Sequence, residues 1–463
     1  MFTKNVDVKH HIKVYFLFKN SKLPSIPEEV EKDFKEEESK IISFYQDKKV
    51  IVLVSLGEKD DLDIDSLQKI VKNVRTHLKN YPKKIPLFFL ENHMLEDQIQ
   101  LIEQSYYKFD YKTKKTSRKS KKTSNKKTQK KSPKFYIHLK NKKLNPQHQT
   151  ILASSIQLLQ NLGDEPANIL TPPEFVKRIQ KVCQESNLKC KVMDSKKLKK
   201  MGMNSLLSVS NGSNFDGYLV EISHLPTKEK PIVMVGKGIT FDAGGISLKR
   251  PNKMYEMKAD MLGSGILLAT MRNVGMMKMK KNVVALLAIA ENAIGKEATR
   301  PGDVVKSYSG KTIEIRNTDA EGRLVMADAL TYGHKFNPKL ILDISTLTGQ
   351  QWSMSCGLFG SIMGYNEKTV RKFINIGKKT NDRLVEMPLY KEFIKNTESK
   401  IADVKNAEFK CDRASTINAG AFLSNFVDDK LDWIHLDVAG PTFMGEKTKG
   451  YGVRLLTEVV RDL

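Results

Sequence analysis

The run Pro231-Ile232-Val233-Met234-Val235-Gly236-Lys237-Gly238-Ile239-Thr240-Phe241-Asp242-Ala243-Gly244-Gly245-Ile246-Ser247-Leu248-Lys249 decides the fold. It opens as an uninterrupted apolar strand, Pro231 to Val235, and continues into a segment with two lysines, an aspartate and four glycines. A strand with no polar face belongs to a sheet covered on both sides. Val283 to Ala290, Leu340 to Ile344 and Trp433 to Val438 have the same character, and strands alternate with helices from about Asp164 onward. The fold class is therefore α/β, with a mixed, largely parallel central sheet and helices on both faces. Ligands bind such sheets at the carboxyl ends of the strands. Lys237, Asp242 and Lys249 fall there. Gly236-Lys237 and Thr240 invite a phosphate-loop reading, but the earlier glycine of that motif is missing and Gly238 follows the lysine.

At 463 residues the chain calls for two or three domains. Upstream of this sheet, Ile12 to Phe18, Lys49 to Leu56, Ile85 to Leu90 and Phe135 to Leu139 read as strands. Leu67, Ile70, Val71, Val74 and Leu78 recur at helical spacing, and a second helix is expected over 95–104. These make a small N-terminal α/β domain over residues 1–144. A linker helix follows at 145–163, capped by Asn145 with Pro146 in its first turn. The larger C-terminal domain takes 164–463.

The net charge of +25 is concentrated: 108–134 holds 13 Lys/Arg against one acid, a local +12. Within it, 112–131 has no apolar residue, so it is expected to be a solvated loop. Such a charge run is usually a solvated face. Its alternative reading is weak, nonspecific nucleic-acid or polyanion contact, although no aromatics or base-reading residues are interleaved. Deleting 112–131 tests that reading through polyanion affinity at low salt. No run reaches the ~18–20 apolar residues of a membrane span, and no leader pattern follows Met1. Cys183, Cys190, Cys356 and Cys411 form no CxxC pair, so a reducing, cytoplasmic setting is expected.

Acidic residues gather on four segments. Asp242 follows the first strand; Asp260 stands on the first turns of a helix, with Met257 and Met261 on its face. Asp319 and Glu321 lie in Asn317-Thr318-Asp319-Ala320-Glu321-Gly322-Arg323-Leu324, just before a helical run, and Asp343 to Gly349 is a strand entering a turn. Each alone reads as a cap or a dipole partner. Together in one pocket the carboxylates need cations, and two divalent metals suit hydrolysis. None of the nine histidines stands in HxxxH or HExxH, so the site is oxygen-dominated.

Asn317 to Leu324 resembles the hallmark string of the leucyl (cytosol) aminopeptidases, di-metal exopeptidases. Further matches follow in the family's order: Pro166, Asn168, Thr171 and Pro172; Val235 to Gly245; Met257 to Met261; Arg300 to Asp303; Thr346 to Gly349; and His435 to Gly440. The resemblance covers about residue 160 to the C-terminus. It implies that Lys237, Asp242, Asp260, Asp319 and Glu321 hold two metal ions, zinc or manganese, with magnesium or cobalt as further candidates. One ion would take Asp242, Asp319 and Glu321; the other would take Lys237, Asp242, Asp260 and Glu321.

The resemblance also implies a water bridging the metals as nucleophile, Lys249 stabilising the oxyanion, and Arg323 holding a bicarbonate-like anion that relays the proton. Met257, Thr346, Leu347, Gly349 and Ala439 would bind substrate, with an apolar, Leu/Met-like preference. Departures are Thr442, where methionine is frequent, Ser345 and Gln350, where alanine is common, and 412–418, which lacks a glycine pair. Peptide substrates and a homohexamer are implied as partners. A binding scaffold without activity is the rival reading, and the seven intact positions of metals and catalysis oppose it.

Overall fold

The computed structural model describes residues 11–463 except 20, 22, 23, 25, 37–40, 47, 48, 82–84, 91–97, 100, 103–135, 139–144 and 409–411. The Lys-rich segment at 108–134 lies outside the described residues, as does most of the helix expected over 95–104.

The chain divides into two compact units, 1–153 and 154–463. The division falls inside the helix Pro146–Asp164, which overlies the expected linker helix. Asn145 Oδ1 accepts from Gln147 N at 3.0 Å and so caps that helix. In the first unit, β1 (His11–Leu17), β2 (Ile41–Gln46), β3 (Lys49–Ser55), β4 (Ile85–Phe89) and β5 (Tyr136–His138) order as β2-β3-β1-β4-β5. Only the β2–β3 pair is antiparallel. Val50, Val52 and Val54 of β3 join one core with Leu67, Ile70, Val71 and Val74 of the helix Ile64–His77. Ile51 and Leu53 join the opposite one with Phe34 of the helix Glu28–Glu36. Burial on both faces explains why β3 reads as a continuous apolar run. The sequence analysis missed β2 and the helix Glu28–Glu36. β2 is an edge strand with Tyr45 exposed, so it lacks the apolar run that marked its neighbours.

The second unit contains β6 (Lys189–Met193), β7 (Tyr218–His224), β8 (Ile232–Asp242), β9 (Val283–Asn292), β10 (Val304–Lys306), β11 (Thr312–Glu314), β12 (Leu340–Ser345), β13 (Gly360–Gly364), β14 (Leu384–Glu386), β15 (Val404–Lys405) and β16 (Trp433–Asp437). β10, β11 and β15 form a small separate sheet. The main sheet orders as β14-β13-β16-β12-β8-β9-β7-β6. Its centre, β16-β12-β8-β9, is parallel, whereas β13–β16, β9–β7 and β7–β6 are antiparallel. Val233 and Val235 enter the core shared with Val325, Met326 and Ala329 of the helix Gly322–Gly333, while Ile232 and Met234, on the other parity, are equally buried. The sheet is therefore mixed, largely parallel and covered on both faces. Among the described residues no helix is long and apolar enough to cross a membrane.

β8 corrects one expectation. It does not end at Val235 but runs on to Asp242, pairing with β9 through Ile239↔Ala290 and, past an irregularity, Asp242↔Asn292. Lys237 is thus inside the sheet, fully buried, and the bulge re-aims the strand end at Asp242.

Candidate metal centre

The parallel strands β9, β8, β12 and β16 end in Asn292, Asp242, Ser345 and Asp437, and the site is built on these ends. Asp242 is held by the strand-end geometry: its Oδ1 accepts from Gly244 N at 2.9 Å and from Asn292 Nδ2 at 2.7 Å. Gly244 has φ +89°, and a Cβ there would lie 3.0 Å from Asp319 Oδ1. Only glycine adopts that backbone and admits the neighbouring carboxylate. Asp260 departs from its expected place on the first turns of a helix. It closes the 3₁₀ turn Tyr255–Ala259, with N–H bonded to Met257 O, ahead of the helix Leu262–Met276. That break aims its carboxyl at the sheet, where Oδ1 accepts from Thr346 Oγ1 at 2.8 Å.

The hallmark loop supplies Asp319 and Glu321 immediately before the helix Gly322–Gly333. Donor atoms of Asp242, Asp319 and Glu321 all lie within 4.8 Å of one another. Gly322 is required by proximity: a Cβ there would lie 2.6 Å from Lys237 Cε. Lys237 Nζ consequently reaches Asp260 Oδ2 and Glu321 Oε1, both at 2.8 Å, and donates to Thr346 O at 3.1 Å. Lys249 Nζ lies 2.8 Å from Asp242 Oδ2 and also meets Asp319 Oδ1.

Four carboxylates therefore face two ammonium groups in a buried pocket, and the imbalance shows in their acidities. Burial pushes Asp260 well above the carboxylate range, and raises Asp242 despite Lys249 and Lys237. Burial and Asp242 lift Asp319 to about 7. Burial opposes charge on both lysines, yet the surrounding carboxylates hold both above the ordinary lysine value. Only Glu321, placed between them, is drawn down against its burial. Asp260 Oδ2, Asp319 Oδ1 and Glu321 Oε1 are buried and have only the ammonium groups of Lys237 and Lys249 as partners. Carboxylate oxygens that converge and outnumber the cations beside them suit divalent ions. The residues present fit such ions. Lowering the pKa of Lys237 so that it could itself ligate requires the ions, because the carboxylates alone do the opposite.

Arg323 is buried at the helix start. Its Nη1 donates to Asn406 O at 2.7 Å, its Nε makes no bond, and burial lowers its pKa to about 10. Of the expected substrate residues, Met257 adjoins Asp260, and Thr346 touches Asp260 and Lys237. Leu347 and Ala439 are joined through Asp437, whose Oδ1 accepts from both backbone nitrogens at 3.1 and 3.3 Å. Gly349 opens the helix Gly349–Ser355 and faces open space. Thr442 is fully buried, with its hydroxyl turned back to Val438 O at 2.8 Å. The sequence analysis missed Asn292, Asp437 and Asn406. Asn292 and Asp437 end buried strands and were open to the rule that found Asp242. Asn406 carries no such signal.

Comparison with known proteins agrees with this architecture. The profile of the cytosol aminopeptidase family, catalytic domain, matches residues 157–457. A probable cytosol aminopeptidase of Phytoplasma mali (strain AT) is 37% identical over 440 residues, covering 89% of this chain and 85% of its own. One from Wigglesworthia glossinidia brevipalpis is 32% identical over 480 residues, covering 99% and 89%. One from Pseudomonas syringae pv. tomato (strain ATCC BAA-871 / DC3000) is 36% identical over 431 residues, covering 89% and 85%. The solved bottromycin maturation enzyme BotP in complex with Mn has the same fold, with TM-score 0.83 over 98% of this chain and 99% of its own at 23% identity. The chain belongs to the cytosol aminopeptidase family, whose members hydrolyse peptides from the N-terminus with the help of metal ions.

Proposed function

We propose that the chain is a two-metal aminopeptidase releasing apolar, leucine- or methionine-like N-terminal residues from peptides. The observation that carries this reading is the convergence of four buried carboxylates, Asp242, Asp260, Asp319 and Glu321, on only two cations, Lys237 and Lys249. Asp242, Asp319 and Glu321 would hold one divalent ion, and Lys237, Asp242, Asp260 and Glu321 the other. When bound, the pair, with manganese or zinc as the candidates, would supply Lewis acidity and lower the pKa of a water toward neutral pH.

The chain's own groups do the rest. Lys249, kept protonated by Asp242 and Asp319, donates to the oxygen on which charge develops. Arg323 would hold a bicarbonate-like anion, which would supply a proton relay. Met257, Thr346, Leu347, Gly349 and Ala439 shape the pocket for the N-terminal side chain. The protein works in the cytoplasm as a homohexamer, which sedimentation in solution tests.

Metal-stripped and Mn²⁺-loaded protein should be assayed on leucine and methionine anilides, with Asp319→Ala as control. Release that depends on Mn²⁺ and disappears in the variant is expected. Metal-independent release, or equal release by the variant, would sink the reading.

A further inference from the structure

We infer that Asn406 is a positioning residue that sets the hallmark loop and Arg323 in register for the reaction. The inference rests on the metal-dependent reading of the site. Asn406 follows β15 and extends its pairing with β11, its N–H donating to Glu314 O at 3.1 Å. β11 leads directly into Ile315, Arg316 and the loop that carries Asp319 and Glu321. The side chain is fully buried, and every one of its hydrogen bonds goes to that loop. Oδ1 accepts from Arg316 N at 2.8 Å and Asn317 N at 3.3 Å. Nδ2 donates to Asn317 O at 2.6 Å and Ala320 O at 3.3 Å. Its main-chain carbonyl accepts Arg323 Nη1.

One residue thus grips the loop on both sides of Asp319 and, through its own backbone, Arg323. The loop offers two N–H donors to one end of the side chain and two carbonyls to the other. Among uncharged side chains of this length only a primary amide answers both. Aspartate is isosteric yet turns an oxygen toward two carbonyl oxygens, and adds negative charge close to a cluster already short of cations. Alanine removes the side-chain partner of Arg316 N, Asn317 N and Ala320 O, leaving Asn317 O only its bond from Ala320 N. None of these bonds reaches a metal ligand's side chain. The effect on the ions and on Arg323 is transmitted by loop position, and groups that orient metal ligands typically govern affinity or activity by about 10- to 100-fold.

The test compares wild type, Asn406→Asp and Asn406→Ala. Mn²⁺ affinity is measured by calorimetric titration, kcat and KM on leucine anilide, and folded fraction by thermal unfolding. Expected are Mn²⁺ binding weakened about tenfold or more, kcat lowered by about 100-fold, and KM nearly unchanged. Combining Asn406→Ala with Arg323→Ala should cost less in kcat than the product of the two single effects, because both act through one constellation. Wild-type Mn²⁺ affinity and kcat per folded molecule in both variants, or strictly multiplicative kcat losses, would overturn the inference. If wild type binds Mn²⁺ but releases no anilide, the peptidase reading fails while the Mn²⁺ titration still decides on Asn406. If Asn406→Asp does not fold, Asn406→Ala carries the same measurements.

Discussion

Two clusters of buried charge lie on the main sheet, and they are satisfied in opposite ways. Around Lys237 and Lys249, four carboxylates outnumber two cations, and Asp260 Oδ2, Asp319 Oδ1 and Glu321 Oε1 have only those lysines as partners. On β12 and β16, both carboxylates are fully engaged. Asp343 Oδ1 takes His435 Nδ1 at 2.5 Å and Oδ2 takes Trp433 Nε1 at 2.9 Å. Asp437 takes the backbone of Leu347 and Ala439 on one oxygen and the Thr348 hydroxyl, at 2.7 Å, on the other. Burial alone therefore does not mark a reactive centre. His435 Nε2 makes no hydrogen bond, but every oxygen of Asp343 and Asp437 has a donor; carboxylates matched in this way are scaffolding, whereas carboxylates that outnumber their cations are built to receive something else.

That contrast can be broken most severely at Lys249. Lys249→Met removes the donor aimed at the oxyanion and should lower kcat by about 10²- to 10³-fold, with KM and thermal stability little changed. A variant that keeps wild-type kcat would contradict the role. On the scaffolding side, Asp343→Leu strands the Trp433 and His435 nitrogens and should destabilise the fold by about 3 kcal/mol. Its Mn²⁺ stoichiometry should stay at the wild-type value, and loss of Mn²⁺ binding in the still-folded variant would erase the distinction between the clusters. Mn²⁺ at 100 times its Kd should stabilise wild type by about 2.7 kcal/mol but do less for Asp319→Ala, as read by thermal unfolding. An equal gain in both would move the ions elsewhere.

The smallest effect belongs to pH. Burial opposes charge on His435, but Asp343 outweighs it and holds the folded pKa above 6.5. Folding thus favours the protonated ring. The stabilisation is complete below 6.5 and is lost as pH rises through the elevated folded value. The stability advantage of wild type over His435→Gln should shrink as pH rises from below 6.5 through the elevated folded value. A gap that stays constant across that range would exclude a folding-linked proton on His435.

Much of the architecture was legible in the residues because both faces of the sheet are buried. A strand with no water-facing side must be apolar throughout, so β8, β9, β12 and β16 announced themselves. The edge strand β2 did not, since half its surface meets solvent. Asp242, Asp260, Asp319 and Glu321 were likewise visible as carboxylates near strand or helix ends, and their number alone called for cations.

Local sequence could not say that β8 continues to Asp242, because its glycines read as a loop until pairing with β9 is known. Nor could it say that Lys237 lies against Gly322, or that Asn406, 89 positions beyond Asn317, clamps the backbone of the hallmark loop. Composition and periodicity report which residues leave water, a property each segment carries by itself. Which donor meets which acceptor depends on segments far apart in the chain. Only the packed sheet, where an unpaired buried group is too costly to persist, decides those pairings.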